Sequence, residues 1–111
     1  MSNPTLPLVW LRRNDNGELY SIGVYGHGDE TTCAVLSTIC AYLEALLDNF
    51  NIPYTIECEP KSGTREIRTM SDNPDAKILF ETAAAMFRAA SICSPTRGRM
   101  EIADKETNKE E

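Results

Sequence analysis

The sequence predicts an α/β (α+β) sandwich in the order ββαββα, with two helices packed on one small mixed sheet. Three observations predict it. Residues 18–25 and 54–59 alternate in polarity at strand period. Residues 31–49 and 74–92 repeat apolar residues at three- and four-residue steps. Short turn signals separate these stretches, namely Asn16-Gly17, Pro60-Lys61-Ser62-Gly63 and Asn73-Pro74.

The opening stretch, Leu6–Arg13, is rich in Leu, Val and Trp and reads as a strand. Asn14-Asp15-Asn16-Gly17 follows, and the Asn-Gly pair predicts a tight hairpin turn with both central residues at positive φ. Glu18–Tyr25 returns as the second strand, with Tyr20, Ile22 and Val24 on its better-buried face. Gly26-His27-Gly28-Asp29-Glu30 is a glycine-flanked loop. Leu36, Ile39, Leu43, Leu46, Leu47 and Phe50 then mark the first helix, capped by Thr31 or Thr32 and ending near Asn49 ahead of Ile52-Pro53. Asp29 and Glu30 complement the positive end of its dipole.

Tyr54–Glu59 alternates strictly and predicts a half-exposed strand that turns Tyr54, Ile56 and Cys58 inward. Thr64–Met70 predicts its return strand. Asn73 caps the second helix with Pro74 at its first position, and Leu79, Ala83, Met86 and Ala90 form its stripe through about Ile92. Arg99–Ile102 predicts a short last strand. The chain thus reads as one domain over residues 1–102, followed by a polar, acidic tail over 103–111 that is expected to be disordered.

The chain has 111 residues, 11 Lys and Arg, 17 Asp and Glu, and a net charge of −6. That balance speaks against nucleic acid as a partner, because phosphate contacts need clustered cations. No apolar run reaches the roughly 20 residues of a membrane helix, so no membrane partner is expected. The first residues lack a basic start followed by a long apolar stretch, which predicts a cytoplasmic protein with free thiols.

The cysteines are Cys33, Cys40, Cys58 and Cys93, with no Cys-x-x-Cys pair and a single His. Neither a metal site nor a cofactor is implied. The single His precedes Cys33 closely, at a predicted helix start. A cysteine nucleophile must be a thiolate, and both a helix N-terminus and an imidazolium favour that form. His27 can therefore serve as general base to Cys33. The backbone N–H groups of Cys33 and Ala34 are the expected oxyanion donors. Gly26, Gly28 and Asp29 shape the loop, and Ser37 lies one turn beyond Cys33 in a supporting position. The competing reading is plain: Cys33 begins the buried stripe through Leu36 and Cys40, and His27 is a solvated turn residue.

The run Gly26-His27 through Cys33-Ala34-Val35-Leu36-Ser37, set after a hairpin with an Asn-Gly turn, resembles the ribosomal-processing cysteine protease family. That family shows a Gly-His after the second strand, a loop, and a Cys-Ala-x-x-Ser stretch opening the first helix. Five residues separate His27 from Cys33, fewer than the family usually has, and Asp29 stands in for an Asp common in that loop. The resemblance implies a cysteine endopeptidase with a catalytic Cys33–His27 pair. It also implies a peptide substrate, the N-terminal extension of a ribosomal protein or of a phage structural protein. A homodimer is implied as well, with Trp10 or Met86 as candidate contact residues. The alternatives are an inactive binding or assembly module of the same fold and a thiol-dependent acyl transferase.

Overall fold

The computed structural model describes residues 8–25, 30–59, 64–93 and 101–105. The elements are β1 (Leu8–Arg13), β2 (Leu19–Tyr25), α1 (Glu30–Asn49), β3 (Thr55–Glu59), β4 (Thr64–Arg68), α2 (Pro74–Cys93) and β5 (Glu101–Lys105). The predicted sandwich is therefore the observed one. The five strands form one sheet in the order β3-β4-β2-β1-β5. It is mixed, because β5 runs parallel to β1 while every other pair is antiparallel.

The hairpin is where predicted, but its turn differs. Only Gly17 has a positive φ, 79°, and Asn16 does not. The loop is Asp15-Asn16-Gly17, closed by Gly17 N–H donating to the Asn14 carbonyl at 2.9 Å and Asn14 N–H donating to that of Glu18 at 2.9 Å. The Asn14 side-chain oxygen decides this form, because it accepts from the N–H groups of Asn16 and Glu18 at 2.9 and 3.0 Å. The register between β1 and β2 then shifts at Arg12/Arg13, so Arg13 pairs with Leu19. That bulge brings Leu19 into the core and leaves Tyr20 only half-buried, against the predicted alternation.

Leu11, Ile22, Ile67 and Ile56 stand in one row across β1, β2, β4 and β3. With Val9, Val24 and Leu19 they meet Leu36, Ile39, Leu43 and Leu47 of α1 and Leu79, Phe80, Ala83 and Phe87 of α2. Each fully buried aliphatic or aromatic side chain here contributes about 1.5–3 kcal/mol. Among the described residues, three ion pairs fasten the layers. Glu44 of α1 holds Arg65 of β4 at 2.6 Å, while Glu81 and Lys77 of α2 hold Arg13 and Glu18 at 2.6 and 3.1 Å.

Among the described residues, no helix covers the other face of the sheet. Trp10 lies there over Gly23, its cross-strand partner, and is only 6% exposed. Beside it the buried Glu66 carboxylate accepts from Arg12 Nε at 2.8 Å, from Arg68 Nη2 at 3.1 Å and from the Ser21 hydroxyl. Burial raises the Glu66 pKa, but the Ser21, Arg12 and Arg68 hydrogen bonds outweigh it and hold the carboxyl below its usual range.

Both helix starts follow from local chemistry. Asn73 caps α2, its side-chain oxygen accepting from Asp75 N–H at 2.9 Å, with Pro74 first in the helix. α1 begins at Glu30, earlier than the Thr31 or Thr32 cap predicted. An acidic residue in the first turn suits the helix dipole, which favours Glu30 as a helical residue. α1 ends with Asn51 at φ 59°, Asn51 N–H on the Asp48 carbonyl and Ile52 N–H on that of Leu47. The last strand runs through Lys105, so the folded domain extends beyond residue 102. Residues 106–111 of the expected tail lie outside the described residues.

Candidate active site

β2 ends at Tyr25 and α1 begins at Glu30. The intervening Gly26, His27, Gly28 and Asp29 lie outside the described residues. Cys33 is the fourth residue of α1, in its first turn. The same pole of the sandwich holds the start of β1, because Leu8 pairs with Tyr25, and the start of β4, because Arg65 pairs with Val24. It also holds the end of α2 at Cys93, since α2 starts beyond β4 at the opposite pole.

A helix N-terminus exposes backbone N–H groups and a partial positive charge. In α1 the N–H groups without a helical acceptor are those of Glu30, Thr31 and Thr32. Cys33 and Ala34, the expected oxyanion donors, follow as the first two residues whose N–H groups the helical ladder engages. The earlier start of the helix is the reason. Ala34 and Ser37 are both exposed, whereas Leu36 is buried, so the helix presents one accessible and one core-facing side immediately after Cys33.

The other cysteines separate clearly. Cys40 is buried, and burial pushes its thiol up to about 11. Cys58 was predicted to face inward with Ile56 but is exposed. The cause is its strand: β3 is the sheet edge, its residues are mostly exposed, and of the inward row only Tyr54 and Ile56 pack against the core. Arg65 approaches the Cys58 sulfur with Nη1 at 3.2 Å while its Nη2 holds Glu44 at 2.6 Å. The alternation pattern carried no signal of this contact, because strand order in the sheet is not written in a five-residue segment. Among the described residues no group of three His, Cys, Asp or Glu side chains is placed to hold a metal ion.

A cavity of about 590 Å³ opens at the opposite pole, lined by Tyr20, Arg68, Thr69, Ser71, Asn73 and Lys77 among others. It contains none of the candidate residues. Its polar groups are engaged in structure: Thr69 donates to the Pro53 carbonyl at 2.8 Å, and Lys77 pairs with Glu18. No helix of the described residues is long and apolar enough to cross a membrane.

No family model and no curated protein matches the sequence. Solved structures do match the fold. The essential ribosomal processing protease Prp from S. aureus, in complex with a covalently linked product peptide, superposes with a TM-score of 0.77 at 18% identity, covering 90% of this chain and all of that one. The same protease with a substrate peptide gives 0.75 at 16% identity over 90% of this chain and all of that one. SMU.848 from Streptococcus mutans gives 0.71 at 18% identity over 91% of this chain and all of that one. The ββαββα sandwich is thus a fold this chain shares with a ribosomal processing protease solved with peptide bound.

Proposed function

We propose that this chain is a cysteine endopeptidase that removes an N-terminal extension from a ribosomal protein or a phage structural protein. The observation that carries this is the position of Cys33 in the first turn of α1, in a sequence where a Gly-His follows β2 and five residues separate that His from Cys33. It is supported by the shared fold with a processing protease over nine-tenths of the chain.

Cys33 is the nucleophile and His27 the general base. The thiol proton passes to the imidazole as sulfur attacks the scissile carbonyl. The tetrahedral oxyanion is held by the backbone N–H groups at the start of α1 that the helical ladder leaves free, from Glu30 to Thr32. The imidazolium returns the proton to the leaving amine, and water then hydrolyses the thioester with His27 again as base. Gly26, Gly28 and Asp29 set the loop that carries His27, and Ser37 supports the first turn. The chemistry calls for no metal and no cofactor. The enzyme acts in the cytoplasm as a homodimer on protein substrates, not on nucleic acid or at a membrane.

The test is mass spectrometry of peptides that span candidate extensions, incubated with wild type, Cys33→Ala and His27→Ala. A single internal cleavage by wild type, lost in both variants, is the expected result. Tight peptide binding with no cleavage by wild type would assign the chain instead to an inactive binding module of this fold.

A further inference from the structure

α2 carries two isoleucines that the fold leaves in water. Ile78 is 59% and Ile92 82% exposed. Between them on the same side lie Thr82, Ala85 and Ala89, all exposed. The positions 78, 82, 85, 89 and 92 step by four and three in alternation, the spacing of a helix–helix seam. At about 100° per residue all five stay within roughly 40° of one line along the helix. The buried side of α2 is occupied separately, by Leu79, Phe80, Ala83, Ala84 and Phe87. The seam therefore faces away from the core.

Glu81 and Arg88 flank this seam on one side, seven residues apart. In an antiparallel helix pair, equivalent flanks face each other. A crossing at Ala85 then sets Glu81 against Arg88 of a second copy, and does so twice by symmetry. It also stacks Ile78 on Ile92 of the second copy, because each lies seven residues from Ala85. The small side chains of Ala85 and Ala89 allow the close approach such a crossing needs. In a parallel pair opposite flanks face each other, so Glu81 and Arg88, which share one flank, would not meet their counterparts at all. Glu81 already holds Arg13 at 2.6 Å, yet its side chain stays 42% exposed and can meet a second cation. The pattern is complementary to itself, which singles out a second copy of this chain as the occupant.

We infer that the outer face of α2 is the contact face of the homodimer, with two α2 helices packed antiparallel across Ala85. This rests on the homodimer reading and names its surface. Trp10 and Met86, the residues first considered for that contact, are used within the chain: Trp10 covers Gly23 and Met86 packs against the core.

Light scattering and sedimentation at micromolar concentration test the inference on wild type, Ala85→Arg, Arg88→Glu and the double exchange Glu81→Arg/Arg88→Glu. Wild type is expected at two-chain mass. Ala85→Arg should give one-chain mass with unchanged circular dichroism. Arg88→Glu should weaken association by about tenfold or more, and the double exchange should recover it. If Ala85→Arg loses its fold, Arg88→Glu and its recovery carry the test, since both change only exposed side chains. A wild type that is a dimer and remains one in Ala85→Arg and Arg88→Glu would overturn this face and leave the homodimer standing. A wild type of one-chain mass throughout would overturn both.

Discussion

Replacing Gly23 with alanine strikes the tightest contact on the helix-free face of the sheet. An alanine Cβ there would lie 2.2 Å from Trp10 Cε2, 2.3 Å from Cζ2 and 2.7 Å from Nε1. Carbon atoms in contact sit about 3.5–4.0 Å apart, so the indole must retreat by about 1.3 Å or more. The strand cannot give instead. Gly23 pairs with Trp10 of β1 on one side and Glu66 of β4 on the other, in the middle of the ladder. Overpacking of this kind costs about 1–3 kcal/mol, and lifting part of the indole into water adds about 1 kcal/mol. The lower backbone entropy of alanine in the unfolded chain recovers about 0.5 kcal/mol. The net expectation is a loss of about 1.5–3.5 kcal/mol, or a fall in Tm of about 6–20 °C for a domain of this size. Trp10 is the single tryptophan of the chain, so its fluorescence reports the contact directly in a urea titration. The same substitution in a Trp10→Leu background should cost less than about 1 kcal/mol, because the clash is with the ring. A Gly23→Ala protein within about 0.5 kcal/mol of wild type, or equal costs in both backgrounds, would refute the argument.

A limiting dose of a small alkylating agent near pH 6.5 should label Cys33 before Cys58, leave Cys40 unlabelled behind its raised pKa, and slow at Cys33 in His27→Ala; peptide mapping reads all three. The Glu66 carboxyl is held below its usual pKa, so its ionised form stabilises the fold above about pH 4.5, and that share is lost as pH falls through the depressed value. Glu66→Gln should therefore lower stability at pH 7 by about 1–3 kcal/mol and flatten the acid limb of the stability profile, as urea midpoints from pH 3 to 7 would record. Asn51 closes α1 at φ 59°, so Asn51→Gly should leave stability unchanged or raised, whereas Asn51→Val should cost about 1–2 kcal/mol in thermal denaturation.

Signals confined to a few neighbouring residues were enough for the outline of this molecule. The helical stripes of α1 and α2, the Asn73-Pro74 start, the stop after Asn49 and the placement of Cys33 in a first helical turn all rest on contacts within about four residues. Gly26-His27 and Cys33-Ala34 stood out by residue type and spacing, and of these Cys33 and Ala34 lie within the described residues, at the start of α1. Whatever depended on partners distant in sequence was settled by the assembled sheet. Asn16-Gly17 offered a two-residue turn, but the Asn14 side chain and the Arg12/Arg13 bulge imposed a three-residue loop and drew Leu19 rather than Tyr20 into the core. Period-two alternation aimed Cys58 inward, yet β3 came to rest at the sheet edge, where the core reaches Tyr54 and Ile56 but leaves Cys58 exposed. The parallel seat of β5 beside β1, the Trp10 ring over Gly23 and the Glu66 cluster each join residues far apart in the chain. A strand's own pattern specifies which residues share a face. Which face is covered, and by what, is decided only when the other strands and helices are in place.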